Sequence, residues 1–426
     1  MIGHKKLAVI YGLILAVVTL AGIEAIASFY APSWPARALR STERLTADDS
    51  VSKSLADKPW LFKPFNSWGM ADRERTLAKP SDVRFRSIFI GDSFVESAFT
   101  RYKLPEAVES KLAAAGRTDV EAVNLGISAT NPRSYFYRLR DVALSMSPDA
   151  LFVFFYSGND FALPRAGYND ELLPPLVNES PGGSLLGHVM PRTNWLAVNR
   201  FGLSEALGGT KAIPDEFETV NEIVYGPPDA RIPSLVRHVK RYYHPGVDEA
   251  RLTEIISRGS DAFWNVLRRR QIDEEYLMGW LLNLVVWTEL NDAPDLTRKE
   301  AGATRLAIDE EVEASLSWLL AMERIARARG VPLVLFLIPV ANIDPEYVEF
   351  WKPWPHYLSW GSLNEARHDR LAASLRQTSI RVVNLRDDLS NGRGTYRKMD
   401  GHWTEKGVEI VANRVLLELQ KLLPPQ

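Results

Sequence analysis

The segment Ala150–Tyr156 (ALFVFFY) constrains the fold more than any other part of the sequence. Its apolar residues are consecutive rather than alternating, so a strand here is buried on both faces, which is typical of a parallel sheet covered by helices. Four other short segments, at 87–90, 120–125, 332–338 and 380–385, are also rich in apolar residues. The five segments predict the strands of one sheet.

Segments with helical patterning separate the predicted strands. Pro105–Ala115 has proline at the first helical position and is followed by Gly116, a common stop signal. Asn131 is a natural cap for a helix that runs to about Met146. Further helices are predicted at 309–329, at 363–376 and after Thr404. Repeated β-α-β units of this kind predict an α/β fold, a three-layer α/β/α sandwich with right-handed crossovers.

The alternation is interrupted between residues 161 and 300, where proline and glycine are frequent and one helical block runs from about 261 to 290. The chain is therefore predicted to have four parts. They are an N-terminal anchor or signal segment at 1–30, a juxtamembrane linker at 31–82, the α/β domain at 83–160 and 301–426, and a large, mostly helical insertion at 161–300. Ligands bind at the carboxyl edge of open α/β sheets, so the insertion is predicted to be a lid or a substrate-binding surface.

The N-terminal segment predicts a transmembrane helix. Lys5 and Lys6 precede an uncharged apolar run over 7–23, and the apolar character resumes after Glu24 as far as Tyr30. A stretch of roughly 23 residues rising about 1.5 Å each can cross a hydrocarbon core about 30 Å thick. The two lysines favour a cytoplasmic N-terminus, which places the catalytic domain on the periplasmic or extracellular side of the cell inner membrane. A cleaved signal peptide is the alternative, because Ala25 and Ala27 form a small-x-small site.

Composition excludes several classes of site. The net charge of -2, with no basic stripe, gives no indication of a nucleic-acid partner. The absence of cysteine excludes disulfides, thiolate zinc sites and cysteine nucleophiles. The seven histidines are scattered without ligand spacing, so neither a metal nor a cofactor is expected.

Three motifs follow predicted strands at the same sheet edge. Ser93 ends the turn Gly91-Asp92-Ser93, where a hydroxyl can be held at the mouth of the fold. Gly126 lets its backbone N–H approach a substrate closely, and the side-chain amide of Asn159 can donate to the same oxygen. The N–H groups of Ser93 and Gly126 together with Asn159 would form an oxyanion hole.

A fourth motif, Asp400-Gly401-His402-Trp403, lies near the C-terminus. His402 can take the proton from Ser93, and Asp400 can fix the tautomer of the imidazole. Each motif alone also has a structural interpretation, as a plain turn, a strand terminator, a turn residue or a packed histidine beside Trp403. Their joint occurrence in this order favours nucleophilic catalysis.

Together these residues resemble the SGNH (GDSL) hydrolase family, whose name lists serine, glycine, asparagine and histidine. The matching positions are Ser93, Gly126, Asn159 and His402, in the family's order. The resemblance implies a flavodoxin-like sheet and esterase, lipase, deacetylase or acyltransferase activity. In the usual family motif the acid precedes the histidine by three residues, whereas Asp400 precedes His402 by two. The Asp-x-His-Trp-Thr form is similar to the membrane-associated branch that O-acetylates exopolysaccharides, such as the alginate O-acetyltransferases.

Two further sets of residues have competing interpretations. Asp92 and Asp160 could form a paired-carboxylate site for glycoside hydrolysis, although each has a simpler role in ordering its turn. Trp351, Trp354 and Trp360 have flat faces that suit sugar rings, and a packed aromatic cluster or a membrane-surface belt is the alternative.

These observations predict a serine esterase or O-acyltransferase that acts through an acyl-enzyme on Ser93. The expected substrate is an acylated glycan or a small ester, with acetyl esters of cell-envelope or exported polysaccharide favoured. The expected partners are the membrane, through the N-terminal helix, and an envelope polysaccharide-modification complex. The alternative is a non-catalytic envelope protein that keeps the fold and binds glycan or a partner of such a complex.

Overall fold

The computed structural model describes residues 4–30, 66, 70–97, 100, 103–128, 130–161, 190, 193, 216–260, 263–264, 279–290, 301–398 and 401–424. The chain divides into two compact units. The first contains Met1–Ala56, Ser67–Gly69 and Glu171–Ala212, and the second contains Asp57–Asn66, Met70–Asp170 and Ile213–Gln426. The predicted active-site residues all belong to the second unit.

The first unit contains helix α1, His4–Tyr30. Glu24 of this helix accepts hydrogen bonds from the backbone N–H and the hydroxyl of Thr193, at 3.0 and 2.9 Å. None of the helices in the described ranges combines the length and the apolar character that a membrane span requires. The transmembrane helix predicted over 1–30 is therefore not supported.

In the second unit, the described residues form one sheet of five strands. They are β1 (Phe85–Gly91), β2 (Val120–Gly126), β3 (Ala150–Tyr156), β4 (Leu333–Ile338) and β5 (Arg381–Asn384). Neighbouring strands are all parallel, in the order β2-β1-β3-β4-β5, which is the flavodoxin-like order of doubly wound folds. β3 is buried along its length except at Tyr156. The predicted α/β class with a mainly parallel sheet is confirmed.

Helices of the second unit connect the strands and flank the sheet. They are α2 (Ser93–Glu96), α3 (Leu104–Ala114), α4 (Pro132–Asp141), α5 (Glu216–Tyr225), α6 (Pro228–Tyr242), α7 (Glu249–Ile256), α8 (Gly279–Leu290), α9 (Ala301–Ala328), α10 (Pro345–Trp351), α11 (Pro355–Leu375), α12 (Arg386–Ser390) and α13 (Glu405–Gln420). Short 3₁₀ helices lie at Ala143–Met146 and Ala341–Ile343.

The helices that connect the strands lie on both faces of the sheet, because the order in which the chain adds strands reverses after β2. The step from β1 to β2 runs one way, and the steps from β2 through β3 and β4 to β5 run the other. Right-handed crossovers therefore place α3 on one face and α4, α9 and α11 on the opposite face. In agreement with this, α3 packs against α13, while α9 packs against both α4 and α11.

Local signals in the sequence located most of these elements. Asn131 caps α4 by accepting the N–H of Arg133 at 3.1 Å, and Thr404 caps α13 by accepting the N–H of Gly407 at 3.3 Å. The insertion was predicted to be mostly helical, and the structure describes the three helices α5–α7 within it, although the sequence did not locate them individually. Of the helical block predicted over 261–290, the structure describes the helix Gly279–Leu290 and helical residues at 263–264.

The segment 70–82, predicted to be part of a linker, packs against the sheet. Arg75 is 1% exposed at its side chain and donates to Asp72 (2.9 Å), to Glu109 (2.7 Å) and to the carbonyl of Ala122 (2.9 Å). Burial raises the pKa of Asp72, although the charge of Arg75 opposes that shift. A buried ion pair thus joins this segment to α3 and β2, so the α/β domain begins before residue 83.

Replacing Arg75 tests this attachment. The Arg75→Leu variant leaves the Asp72 carboxylate buried without its cation, and we expect a loss of about 3–5 kcal/mol in the free energy of unfolding, measured by urea titration. Arg73→Leu is the matched control, because Arg73 also pairs with Glu109 but its side chain is 54% exposed. The control should lose at most about 1 kcal/mol. Equal losses in the two variants would show that the segment is not anchored by the buried pair.

Candidate active site

The two central strands, β1 and β3, end side by side where the chain changes direction across the sheet. At such a switch point the loops after neighbouring strands separate and leave a crevice, which is where open α/β sheets bind ligands. The turn after β1 carries Ser93, and the turn after β3 carries Asn159. The two turns are close, because the rings of Phe94 and Tyr156 lie 4.2 Å apart.

Ser93 is the first residue of the short helix α2, and its side chain faces His402. The Nε2 atom of His402 lies 2.7 Å from the Oγ atom of Ser93, which is hydrogen-bonding distance. Ser93 is 8% exposed, so the side chain is largely buried at the carboxyl edge of the sheet. Asp92 fixes the turn by accepting the N–H of Phe94 at 3.0 Å as the cap of α2. The predicted nucleophile and the predicted base are therefore in contact.

The loop between α12 and α13 brings His402 to this place. Tyr396 and Trp403 form an antiparallel bridge, and the N–H of Arg397 donates to the carbonyl of His402 at 2.7 Å. The carboxylate of Asp344, which is fully buried, accepts the N–H groups of Thr395 at 2.6 Å and Tyr396 at 3.2 Å. These bonds fix the backbone on both sides of the bridge and so fix the position of the imidazole.

The imidazole of His402 packs against an aromatic side chain. The ring of Phe94 lies 4.9 Å from the ring of His402 and 4.9 Å from that of Trp403. Phe94 is 3% exposed and follows the nucleophile directly in sequence. One side chain therefore packs against the histidine while its own backbone N–H is held by Asp92, so the positions of Ser93 and His402 are coupled through a single residue.

Asp92 is a buried carboxyl beside the reacting pair. Burial raises the pKa of Asp92 to about 6, while the N–H of Phe94 and the charge of His402 act to lower it. The Oγ atom of Ser93 lies 3.4 Å from Asp92 Oδ2, further away than from His402 Nε2. A negative charge on Asp92 favours a positive charge on His402, which is the form that the histidine adopts after accepting a proton.

Gly126 has a different role from the predicted one. Its N–H donates to Oδ1 of Asn124 at 2.9 Å, so in this structure that N–H is not available to a substrate oxygen. A Cβ at this position would lie 2.2 Å from the backbone nitrogen of Glu96 and 2.6 Å from the carbonyl carbon of Val95. Glycine is therefore required because the end of β2 lies directly against α2, the helix that carries the nucleophile.

Asn159 is exposed at the tip of the turn Ser157–Asp160. Its side-chain amide makes no hydrogen bond to any residue that the structure describes, so it can donate to a bound oxygen. The turn is closed by Asp160, whose Oδ2 accepts the N–H of Tyr156 at 2.7 Å and the hydroxyl of Tyr135 at 2.6 Å. Burial and the charge of Asp92 raise the pKa of Asp160 well above its usual value. Asp92 and Asp160 thus each order a turn. This is the simpler of the two predicted alternatives, the other being a paired-carboxylate site for glycoside hydrolysis.

Asp400, the predicted acid partner of His402, lies outside the described residues. The predicted sugar-binding tryptophans lie within them. Trp351 and Trp354 are 1% and 2% exposed and pack around Phe263, with ring centroids 5.6 and 4.8 Å from it. The two rings present no face to solvent, as the packed-cluster alternative predicted. Trp360 is half-buried, and for it sugar binding stays a prediction.

Sequence reasoning missed two charged residues that hold the site. Asp344 directly precedes Pro345, and this sequence position indicates only a helix cap. The structure shows that cap, since Asp344 accepts the N–H of Glu346 at 2.9 Å. Arg138 is fully buried and donates to the carbonyl of Gly91 at 3.0 Å and to Thr130 at 2.8 Å, beneath the nucleophile turn. The sequence offered one signal, an arginine on the buried face of the amphipathic helix α4. That signal does not identify the groups to which Arg138 donates.

No family model matches the chain, and no curated protein matches it. Solved structures with some likeness include a GDSL-like lipase from Bacteroides thetaiotaomicron, with 10% identity, a TM-score of 0.33 and coverage of 89% of this chain and 100% of that one. A lipase/acylhydrolase from Enterococcus faecalis has 12% identity and a TM-score of 0.29, with coverage of 80% and 98%. Likeness at this level establishes neither a family nor an activity, so the function must be inferred from the site.

The Asp92→Asn variant tests the buried charge. Asparagine can still cap α2, but it carries no charge. Between the ordinary pKa of 3.8 and the folded value of about 6, the folded parent holds more protons than the unfolded chain, so its stability falls as the pH rises through this window. Above it the variant should be more stable than the parent by up to about 3 kcal/mol, and near pH 4 the difference should vanish.

The same substitution should lower kcat about tenfold, because it removes the negative charge that favours a protonated His402. Thermal unfolding across this pH range and ester hydrolysis measure the two effects. The exposed Asp82 supplies the control, Asp82→Asn, which should change neither. An Asp92→Asn variant that is less stable than the parent above the folded pKa would contradict the assignment of a buried, unfavourable charge.

Proposed function

We propose that this protein is a serine esterase or O-acyltransferase that works through an acyl-enzyme on Ser93. The observation that carries the proposal is the 2.7 Å hydrogen bond between Ser93 Oγ and His402 Nε2 at the carboxyl edge of the sheet. A serine hydroxyl is a weak nucleophile unless a general base lies within hydrogen-bonding distance. This pair meets that requirement at the carboxyl edge of the sheet.

In the first half-reaction, Ser93 Oγ forms a bond to the carbonyl carbon of the ester while its proton passes to His402 Nε2. The carbonyl oxygen becomes an oxyanion. When the tetrahedral intermediate collapses, the bond to the leaving alcohol breaks and His402 returns the proton to that alcohol. The acyl group remains on Ser93.

Two donors would stabilise the oxyanion in this mechanism. The N–H of Ser93 belongs to the first turn of α2, where backbone N–H groups have no acceptor within the helix. The amide of Asn159, on the neighbouring turn, is the second. Gly126 supports this arrangement by letting β2 lie against α2, rather than by donating.

The second half-reaction repeats these steps with a new nucleophile. Water gives hydrolysis, and a sugar hydroxyl gives acyl transfer. In either case His402 takes the proton from the incoming oxygen and passes it to Ser93 Oγ as the acyl bond breaks. The same residues thus serve both reactions, and the outcome depends on which hydroxyl occupies the crevice.

We extend the proposal to acetyl esters of cell-envelope or exported polysaccharide as the substrate, and to the outer side of the inner membrane as the location. The support is the sequence of the loop Asp400–Thr404, which resembles that of the O-acetylating branch of SGNH proteins. Association with an envelope polysaccharide-modification complex belongs to the same proposal.

Ser93→Ala in the full-length protein tests the nucleophile. We expect kcat for an aryl acetate to fall by on the order of 10⁴-fold or more, and labelling by a serine-directed fluorophosphonate to disappear. Ser379→Ala is the control, because Ser379 is exposed and follows α11 at the opposite end of the sheet, before β5 begins. Comparable turnover by the parent and by Ser93→Ala would overturn the proposal.

A second measurement separates hydrolysis from transfer. The parent is incubated with an aryl acetate, with and without an unacetylated polysaccharide fragment, and the acetyl content of the fragment is measured. For a transferase, we expect acetyl groups on the fragment and an aryl release rate that rises with fragment concentration, because deacylation by sugar adds to deacylation by water. Free acetate alone, at an unchanged rate, would contradict transfer to that sugar and leave hydrolysis.

A further inference from the structure

A second series of hydrogen-bonded side chains lies behind the site, and the mechanism above does not use it. The Oγ atom of Ser157 lies 2.7 Å from Nδ1 of His368, and Nε2 of His368 lies 3.0 Å from Oδ1 of Asn384. Ser157 and His368 are both fully buried. The series connects the end of β3 to α11 and to the end of β5.

The direction of each hydrogen bond follows from Asn384. Its Oδ1 atom also accepts the N–H of Arg386 at 3.0 Å, so this atom is an oxygen that accepts both bonds. His368 Nε2 must therefore carry a hydrogen, which leaves a lone pair on Nδ1. Ser157 donates its hydroxyl hydrogen to that lone pair. Burial lowers the pKa of His368 to about 4, so the ring stays neutral and keeps this pattern at ordinary pH.

Ser157 and His368 make the same kind of serine–histidine contact as Ser93 and His402. Unlike Ser93, however, Ser157 is completely inaccessible from outside. Ser157 is 0% exposed, whereas Ser93 is 8% exposed. An ester carbonyl cannot reach a hydroxyl that is completely enclosed, so the series is not a second nucleophilic site. Its role must come from what Ser157 is attached to.

Ser157 is the first residue of the turn that carries Asn159. The backbone N–H of Ser157 donates to the carbonyl of Ile338 at 3.0 Å, and its side chain is held by His368. On the other side of Asn159, Asp160 is held by Tyr135 at 2.6 Å. Ser157 and Asp160, which flank the Gly158-Asn159 tip, are thus attached to buried side chains, while Gly158 is half-buried and Asn159 is exposed.

We propose that Ser157, His368 and Asn384 are positioning residues that hold the Asn159 amide where it stabilises the oxyanion. The inference rests on the function proposed above, because it needs Asn159 to act in the reaction. A displaced donor stabilises the transition state less while leaving ester binding nearly unchanged, so the effect belongs in kcat rather than in KM.

A double-mutant cycle tests whether Ser157 acts through Asn159. We expect Ser157→Ala to lower kcat for an aryl acetate about tenfold, with KM within about twofold of the parent. Asn159→Ala should lower kcat on the order of 10²-fold. In the Asn159→Ala background, Ser157→Ala should change kcat by less than about twofold, because the donor that it positions is already absent.

Ser87→Ala is the matched control. Ser87 is also fully buried in the sheet and also makes one hydrogen bond, to the carbonyl of Glu121 at 2.9 Å. The Ser87→Ala variant should lose about as much stability as Ser157→Ala but keep the kcat of the parent. At position 368, His368→Gln retains an acceptor and a donor and should keep most of kcat, whereas His368→Leu should lose as much as Ser157→Ala.

Three outcomes would overturn the inference. They are an equal loss from Ser157→Ala with and without Asn159, a loss that appears in KM alone, and no effect of Asn159→Ala on kcat. None of them affects the proposed function as long as Ser93→Ala abolishes turnover. Retained turnover in Ser93→Ala would instead refute the function itself, so the two failures are distinguishable.

Discussion

The hydrogen bond between Ser93 Oγ and His402 Nε2 joins residues 309 positions apart in the sequence, and the rest of the site depends on it. Closing so long a loop costs conformational entropy that one hydrogen bond does not offset. The sheet supplies the stabilisation, because parallel pairing fixes the end of β1 next to the end of β3. At the other end, the buried carboxylate of Asp344 holds the loop that carries His402. The catalytic contact is thus a consequence of the fold rather than a source of its stability.

The site is built on buried charge, which has a thermodynamic cost. Asp92 and Asp160 are completely buried and interact with each other, and burial raises the pKa of both carboxyls. The Arg138 guanidinium partly offsets this cost by its interaction with Asp160, and it also holds the carbonyl of Gly91. Fixed charges and dipoles that need no rearrangement during the reaction are what stabilise a transition state. The buried carboxyls therefore lower the stability of the fold while they hold the residues of the site in fixed positions.

The sequence predicted those features that depend on local chemistry. Consecutive apolar residues identified β3 to the residue, and side-chain caps identified the start of α4 and of α13. Ser93 was found because its residue type and its place after a strand suggest chemistry, and His402 because of its residue type in the motif Asp400-Gly401-His402-Trp403. The insertion was predicted to be mostly helical, but the individual helices α5–α7 were not located, because prolines, including Pro233 inside α6, resemble loop signals. Contacts between distant segments, such as Asp344 with Thr395 or Arg75 with Asp72 and Glu109, leave no local pattern, and neither does the hydrogen bond that occupies the Gly126 N–H.

If an acyl group passes through Ser93, the covalent intermediate on this residue can be detected. The full-length protein is quenched with acid during turnover of an aryl acetate, and its peptides are analysed by mass spectrometry. We expect one acetyl group on the peptide that contains Ser93, formed and lost at rates consistent with turnover. Continued turnover with no acetyl group on that peptide, or with the acetyl group on another residue, would contradict it.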